Sequence, residues 1–242
     1  MRSPLDRQAV ARAYERSIQP VALAMIAKAP VAGLAKTRLC PPCSAVQAAA
    51  LAEASLLDTL DAMAQTGAAR HVVVLDGEPS PTLRSAIVGL ATTSGGFEVI
   101  GQRGADLGER LACAFADIGT AALIVGMDTP QATPELLTQA IGRLAGRETD
   151  AVLGEAQDGG YWAIGLKRAN ARVFDGIAMS TSRTASLQRE RLALLGLRTA
   201  ELLALRDVDV FADATDVAGL APATRFARTL TPIAEELLRV GV

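Results

Sequence analysis

Val21-Ala-Leu-Ala-Met-Ile-Ala27, followed at once by Lys28-Ala-Pro-Val-Ala-Gly33-Leu-Ala-Lys36-Thr37-Arg38-Leu39, decides how the chain is read. The apolar run has the length of a buried strand and falls far short of the roughly 18 residues of a membrane span. The basic loop after it stands where open α/β sheets bind ligands, outside the carboxyl end of a strand. Further along, His71–Leu75, Leu123–Met127 and Ala151–Gly154 are short apolar runs of the same kind, each followed by turn residues. Between them, Ala45–Met63 carries Val46, Ala49, Leu56, Leu60 and Met63 at helical spacing, and Leu107–Ile118 and Pro134–Leu144 read as further helices. Thr133-Pro134-Glu135 supplies a cap, a proline for the first turn and an early carboxylate. This alternation predicts an α/β fold with a mostly parallel central sheet and helices on both faces. Beyond it, Tyr161–Leu166 reads as a strand, Arg183–Leu195 as a helix, Leu197–Leu202 as a short strand and Pro222–Val240 as a closing amphipathic helix.

Composition narrows the function classes. The 242 residues carry 24 Lys and Arg against 26 Asp and Glu, a net charge of −2, which excludes a strong basic footprint for nucleic acid. Eight aromatic residues in the whole chain argue against base-stacking platforms. Residues 1–19 mix Arg2, Asp6, Arg7, Arg12, Glu15 and Arg16 with no apolar block, unlike a secretory signal, and read as a polar lead-in before a single domain over 20–242. Three cysteines without an export signal make no disulfide framework, so the expected compartment is the cytoplasm. Cys40-Pro-Pro-Cys43 has redox spacing but follows the basic loop instead of a strand-to-helix step, and His71, the one histidine, starts an apolar strand and reads as structural. With one histidine, a His-centred catalytic triad is disfavoured.

Candidate chemistry gathers after the strands. In the first loop, Gly33 lets backbone N–H groups approach an anion, while Lys28, Lys36 and Arg38 add cations suited to a polyphosphate. The same stretch by itself also reads as a solvated basic loop. It is not a Walker A loop, which needs a glycine directly before the Lys-Thr pair. Asp128, in Gly126-Met-Asp128-Thr-Pro130 after the third run, is placed to hold Mg²⁺, or else to serve as a turn residue. Asp158-Gly-Gly160 is a hairpin turn signal, with Tyr161 and the only tryptophan, Trp162, immediately after it as a possible pocket wall. Asp207-Val-Asp209, with Asp213 and Asp216, is an acidic stretch that suits a divalent cation or a solvated loop. Asp106, before Leu107-Gly108-Glu-Arg110, is either an N-cap or a residue facing a nucleotide.

Taken in order, Lys28-x-Pro30-x-x-Gly33-x-x-Lys36-Thr37-Arg38-Leu39, Asp106-Leu-Gly-Glu-Arg110, Gly126-x-Asp128-Thr-Pro130, Asp158-Gly-Gly-Tyr161 and Asp207-x-Asp209 resemble the bacterial DUF2064 family of GT-A-fold transferases over about residues 20–220. The Lys36–Leu39 segment is also similar to that of 2-phospholactate guanylyltransferases. The resemblance implies a GT-A-type, Rossmann-like domain of the nucleotide-diphospho-sugar transferase superfamily. It implies a nucleotide bound by Lys28, Pro30, Gly33, Lys36, Thr37, Arg38, Asp106 and Gly108, with Lys36, Arg38 and Asp128 serving the chemistry. A small-molecule acceptor would meet Asp158, Gly159, Gly160 and Tyr161, and Asp128 and Asp209 would hold Mg²⁺ or Mn²⁺. Val210 stands where the family often has Thr, and Glu155 where Pro is common. The expected reaction is metal-dependent nucleotidyl transfer from an NTP to a small phosphorylated or hydroxyl acceptor. Glycosyl transfer from a nucleotide-sugar is the alternative, and a nucleotide-binding module without activity is the third reading.

Overall fold

The computed structural model describes residues 20–91 and 96–239; the lead-in read over residues 1–19 and the end of the closing helix at Val240 lie outside the described residues. Seven strands form one sheet: β1 Ala22–Lys28, β2 Arg70–Asp76, β3 Phe97–Gly101, β4 Ala122–Gly126, β5 Ala151–Glu155, β6 Tyr161–Leu166 and β7 Thr199–Glu201. Their spatial order is β3-β2-β1-β4-β6-β5-β7. The β3, β2, β1 and β4 neighbours run parallel, β6 is antiparallel to both β4 and β5, and β7 is parallel to β5. The sheet is therefore mostly parallel, as the strand-helix alternation predicts. β1 begins a two-way excursion: β2 and β3 lie on one side, and the chain then crosses to β4 on the other. That reversal opens a crevice at the carboxyl ends of β1 and β4.

Both faces of the sheet are covered, which explains the near-continuous apolar runs of the central strands. Along β1, Leu23, Met25 and Ala27 point to one core, while Ala22 and Ala24 point to the other. The first core is closed by α1 (Ala45–Ala64), α2 (Pro81–Ala91) and α4 (Pro134–Ala145) through Leu56, Leu60, Leu83, Leu137 and Leu144. The second is closed by α3 (Leu107–Ile118) and α5 (Thr184–Leu194) through Leu111, Phe115 and Leu192. A third cluster joins the outer side of α1 to α6 (Phe211–Leu220) and α7 (Arg225–Arg239), with Leu51, Val217, Phe226 and Leu230 buried and Leu39 anchoring the basic loop. The caps follow the sequence. Ser44 and Gln47 form a capping box on α1, and Thr133 Oγ1 accepts from Leu136 N at α4. Asp58 of α1 accepts from Arg225 N and Phe226 N, each at 2.8 Å, and so caps α7 across the cluster.

Three elements, β3, α2 and α6, are not read from the sequence. β3 and α2 were not distinguished, because β3 is a half-exposed edge strand whose residues show no clean alternation of burial. Asp213 and Asp216, read with the acidic loop, lie on α6, where Asp213 Oδ2 accepts from Val210 N and both carboxylates pair with Arg206. Asp213 stands in the first turn of α6, where a carboxylate offsets the helix dipole. His71 stacks on Phe97 with ring centroids 5.0 Å apart, in keeping with a structural role.

Candidate active site

The loop after β1 turns sharply twice. Gly33 has φ +79° and Lys36 has φ +50°, and a 3₁₀ turn at Thr37–Leu39 then plants Leu39 in the core. Residues with a Cβ seldom adopt positive φ, so the conformation of Lys36 is held by its surroundings. The Lys36 side chain is only 9% exposed; its Nζ lies 2.9 Å from Asp128 Oδ1 and also donates to the Val208 carbonyl. Arg38 is the opposite case: 63% exposed, with Nη1 2.6 Å from Asp209 Oδ2. Lys28 is exposed at the end of β1.

Asp128 sits just past β4, and its backbone carbonyl accepts from Val208 N at 2.9 Å. The ends of two segments some eighty residues apart are thus bonded to each other. Asp128 Oδ1 and the hydroxyl of Thr129, a 2% exposed residue, are buried and make no hydrogen bond among the described residues, although the former keeps its ion pair with Lys36. The segment around Leu205 reaches this place by bonding to the end of β5: Leu205 N donates to the Glu155 carbonyl, and Gln157 N to the Leu205 carbonyl. This brings Asp207 and Asp209 to the β5–β6 hairpin. Asp158, Asp207 and Asp209 present carboxylate oxygens that all lie within 4.8 Å of one another. Burial, then the neighbouring Asp158 and Asp209 charges, push the Asp207 carboxyl up to about 6. Crowded like charges and desolvation both oppose ionisation, and a divalent cation relieves both.

Three adjoining cavities share these residues. One of about 300 Å³ lies at the crevice between β1 and β4, with Ile26, Lys28, Ile124, Asp128, Tyr161 and Trp162 in its wall together with Leu107, Arg110 and Gln102. A second, about 250 Å³, is lined by Lys28, Lys36, Thr37, Arg38, Asp128 and Asp209. A third, about 210 Å³, is bounded by Arg38, Asp128, Asp158, Gly160, Tyr161, Ser180, Thr184, Asp207 and Asp209. Gly159, with φ +89°, presses the hairpin onto the following loop so closely that a Cβ would stand 2.1 Å from the Ser182 carbonyl oxygen. Ala185 N donates to the Gly159 carbonyl at 2.8 Å, which fixes this wall.

The sequence candidates therefore separate. Lys28, Lys36, Thr37, Arg38, Asp128, Asp158, Gly160, Tyr161 and Asp209 all line the cavities. Asp106 serves as the N-cap of α3, accepting from Glu109 N at 2.8 Å; its neighbours Leu107 and Arg110, not Asp106 or Gly108, form the cavity wall. Pro30 and Gly33 shape the loop without lining a described cavity. The Tyr161 hydroxyl donates inward to Gln188 at 3.4 Å, and burial pushes its pKa up and keeps it protonated, so the ring alone serves as wall. Asp207, read in the sequence as part of the acidic stretch, joins the carboxylate cluster, and Gln102, which the sequence does not mark as a site residue, donates from Nε2 to the Ala27 and Val74 carbonyls while its Oε1 accepts from Arg110. Its donor partners are backbone groups of other strands, which no sequence pattern around Gln102 marks. Cys40 and Cys43 are free thiols, and Cys43 is buried with its thiol pushed up by desolvation, the reverse of an activated thiolate.

The family model described as "Uncharacterized protein conserved in bacteria" (DUF2064) matches residues 59–181, half of the chain. The chain belongs to the DUF2064 family. Among solved structures, it is 26% identical to a protein from Desulfovibrio desulfuricans G20 provisionally assigned as a nucleotide-diphospho-sugar transferase, with 90% of this chain and 96% of that one covered and a TM-score of 0.74. A cytidylyltransferase from Leptospira borgpetersenii shares the fold at 12% identity and a TM-score of 0.52, with 90% and 95% covered. No curated protein matches the sequence. The architecture of this DUF2064 member is thus the GT-A type, and no helix among its described residues is long and apolar enough to cross a membrane.

Proposed function

We propose that this DUF2064 protein is a divalent-metal-dependent transferase that takes a nucleotide donor and a small acceptor. The observation that carries the reading is the meeting of an exposed cationic loop, Lys28 and Arg38, with three close carboxylates at the crevice where the sheet reverses direction. Few ligand classes need both signs side by side; a nucleotide polyphosphate with its cation does. The all-oxygen donor set fits Mg²⁺ or Mn²⁺, hard cations held by a few carboxylates and by substrate phosphates. Asp207 and Asp209 would hold the cation with Asp158, with Asp128 in the wall of the same cavity; when bound, the cation would supply charge neutralisation at the transferred and leaving phosphates.

The nucleoside would enter the apolar slot between β1 and β4, where Leu107 and Ile124 bury its surface. Thr37 and Arg38 would hold the outer phosphates, orient the donor and counter the negative charge that grows on the leaving group. The acceptor would stand in the cavity between Asp158, Tyr161, Ser180 and Thr184. In the favoured reaction an acceptor oxygen attacks the donor α-phosphorus and pyrophosphate leaves. Cations on one loop suit a triphosphate, which favours nucleotidyl transfer; the nucleotide-sugar assignment of the D. desulfuricans relative favours glycosyl transfer as the second reading. Such chemistry belongs to the cytoplasm, where nucleotide donors are abundant.

Product analysis separates these reactions. With a panel of NTPs and nucleotide-sugars, pyrophosphate release is expected, and nucleoside diphosphate release supports the second reading. Arg38→Ala is expected to weaken donor binding by about 1.5–3 kcal/mol, the usual worth of a charge-assisted contact. Unchanged donor affinity in this variant would return the loop to a solvated surface feature.

A further inference from the structure

Resting on the reading of the carboxylate cluster as a cation site, we propose that Lys36 is a positioning residue that assembles this site from separate loops, and is not a ligand of donor phosphate. Its ammonium is already committed. Nζ lies 2.9 Å from Asp128 Oδ1 and also donates to the carbonyl of Val208, a residue 1% exposed. Val208 stands between Asp207 and Asp209, and its own N–H bonds to the Asp128 carbonyl at 2.9 Å. One ammonium therefore spans the end of β4 and the acidic segment, and fixes how far Asp128 stands from the pair that flanks Val208.

The backbone supports the same assignment. Lys36 and Ser180 are the non-glycine residues with positive φ among the described residues. Glycine adopts this conformation more readily, so a lysine here is held by what its side chain reaches. Exposure divides the two loop cations: Arg38, at 63%, is open to an incoming phosphate, while Lys36, at 9%, is buried with its ammonium already paired. Four carboxylates, those of Asp128, Asp158, Asp207 and Asp209, border one cavity and repel one another. A buried cation with three donors, bonded to one of them and to the backbone between two others, is what keeps these carboxylates assembled.

Mn²⁺ binding to the nucleotide-free protein, followed by electron paramagnetic resonance of the free ion, gives opposite signs for the competing roles. A nearby positive charge that merely repels the metal would, on removal, leave Mn²⁺ bound more tightly. Positioning predicts the reverse: K36M binds Mn²⁺ at least tenfold more weakly than the wild type. R38A, which frees Asp209 from an exposed ion pair, binds it as well as or better than the wild type. K36R keeps the charge but replaces a compact ammonium by a planar fork, and is expected to lose affinity as well. Circular dichroism and melting temperature verify that each variant is folded; if K36M does not fold, K36R carries the test, and wild-type affinity in K36R overturns the proposal. Wild-type protein that binds Mn²⁺ while K36M binds it equally or more tightly overturns the positioning role alone. Absence of Mn²⁺ binding in the wild type overturns the cation site itself, and the positioning role with it.

Discussion

Replacing Asp207 by Asn should make the metal-free protein more stable and the metal-loaded protein less so. In the folded state the Asp207 carboxyl is pushed up to about 6 by burial and by Asp158 and Asp209, against 3.8 for an ordinary aspartate. Between those two values the folded chain holds a proton that the unfolded chain has lost, so stability falls as pH rises through this window. Above about pH 6 the full cost applies: roughly two pH units at about 1.4 kcal/mol each, or about 3 kcal/mol. Asparagine keeps the shape and removes the charge, and leaves Asp158 and Asp209 with one repulsive neighbour fewer. Metal-free Asp207→Asn should therefore gain about 2–3 kcal/mol at pH 7.5, a rise of about 4–12 °C in melting temperature for a chain of this size, and gain almost nothing at pH 4. Calorimetric melting at the two pH values, with chelator and then with saturating Mn²⁺, measures both arms. With the cation present the order should reverse, because the wild type has one ligand more. A variant less stable than wild type at pH 7.5 without metal, or a gain that persists at pH 4, would refute the argument from crowded carboxylates.

Two further outcomes follow from the packing around the site. Asp58→Ala removes the acceptor that two α7 backbone N–H groups share at 2.8 Å, and should cost about 1–2 kcal/mol in urea unfolding with no change in donor affinity. Gly159→Ala forces a Cβ against the Ser182 carbonyl at positive φ, so the hairpin and the 178–184 loop must part; turnover with an acceptor should fall more than donor binding, measured by steady-state kinetics beside calorimetric titration.

The parts legible in the sequence are those whose physics is local. Met25 and Val73 lie in short apolar runs, bounded by turn residues, that read as strands buried on both faces, and Thr133 with Pro134 announces its helix. The basic loop is legible because cations concentrated after an apolar strand stand out in a chain of nearly neutral charge. What escapes is convergence. Asp128 and Asp209 line two cavities together, and the carboxylates that crowd Asp209 within 4.8 Å are Asp207 and Asp158, brought there by backbone bonds between Leu205 and the end of β5. Lys36 and Arg38 are two residues apart and equal in charge, and only the fold makes one buried and the other open. Asp106 has two readings in the sequence, and its hydrogen bond to Glu109 N shows it used as a cap. Asp213 and Asp216 share the composition of the acidic loop but fall on a helix, where Asp213 caps the Val210 N–H and both pair with Arg206.

The central claim, that the crevice takes a nucleotide together with a divalent cation, is tested most directly by melting the protein against NTPs and nucleotide-sugars with and without Mg²⁺. A donor present at 100 times its dissociation constant should stabilise the folded chain by about 2.7 kcal/mol, or raise its melting temperature by about 5–11 °C. The account predicts such a shift for at least one donor only when Mg²⁺ is present, and its loss in Asp209→Asn. No shift with any nucleotide, or a shift indifferent to both Mg²⁺ and Asp209, would contradict it.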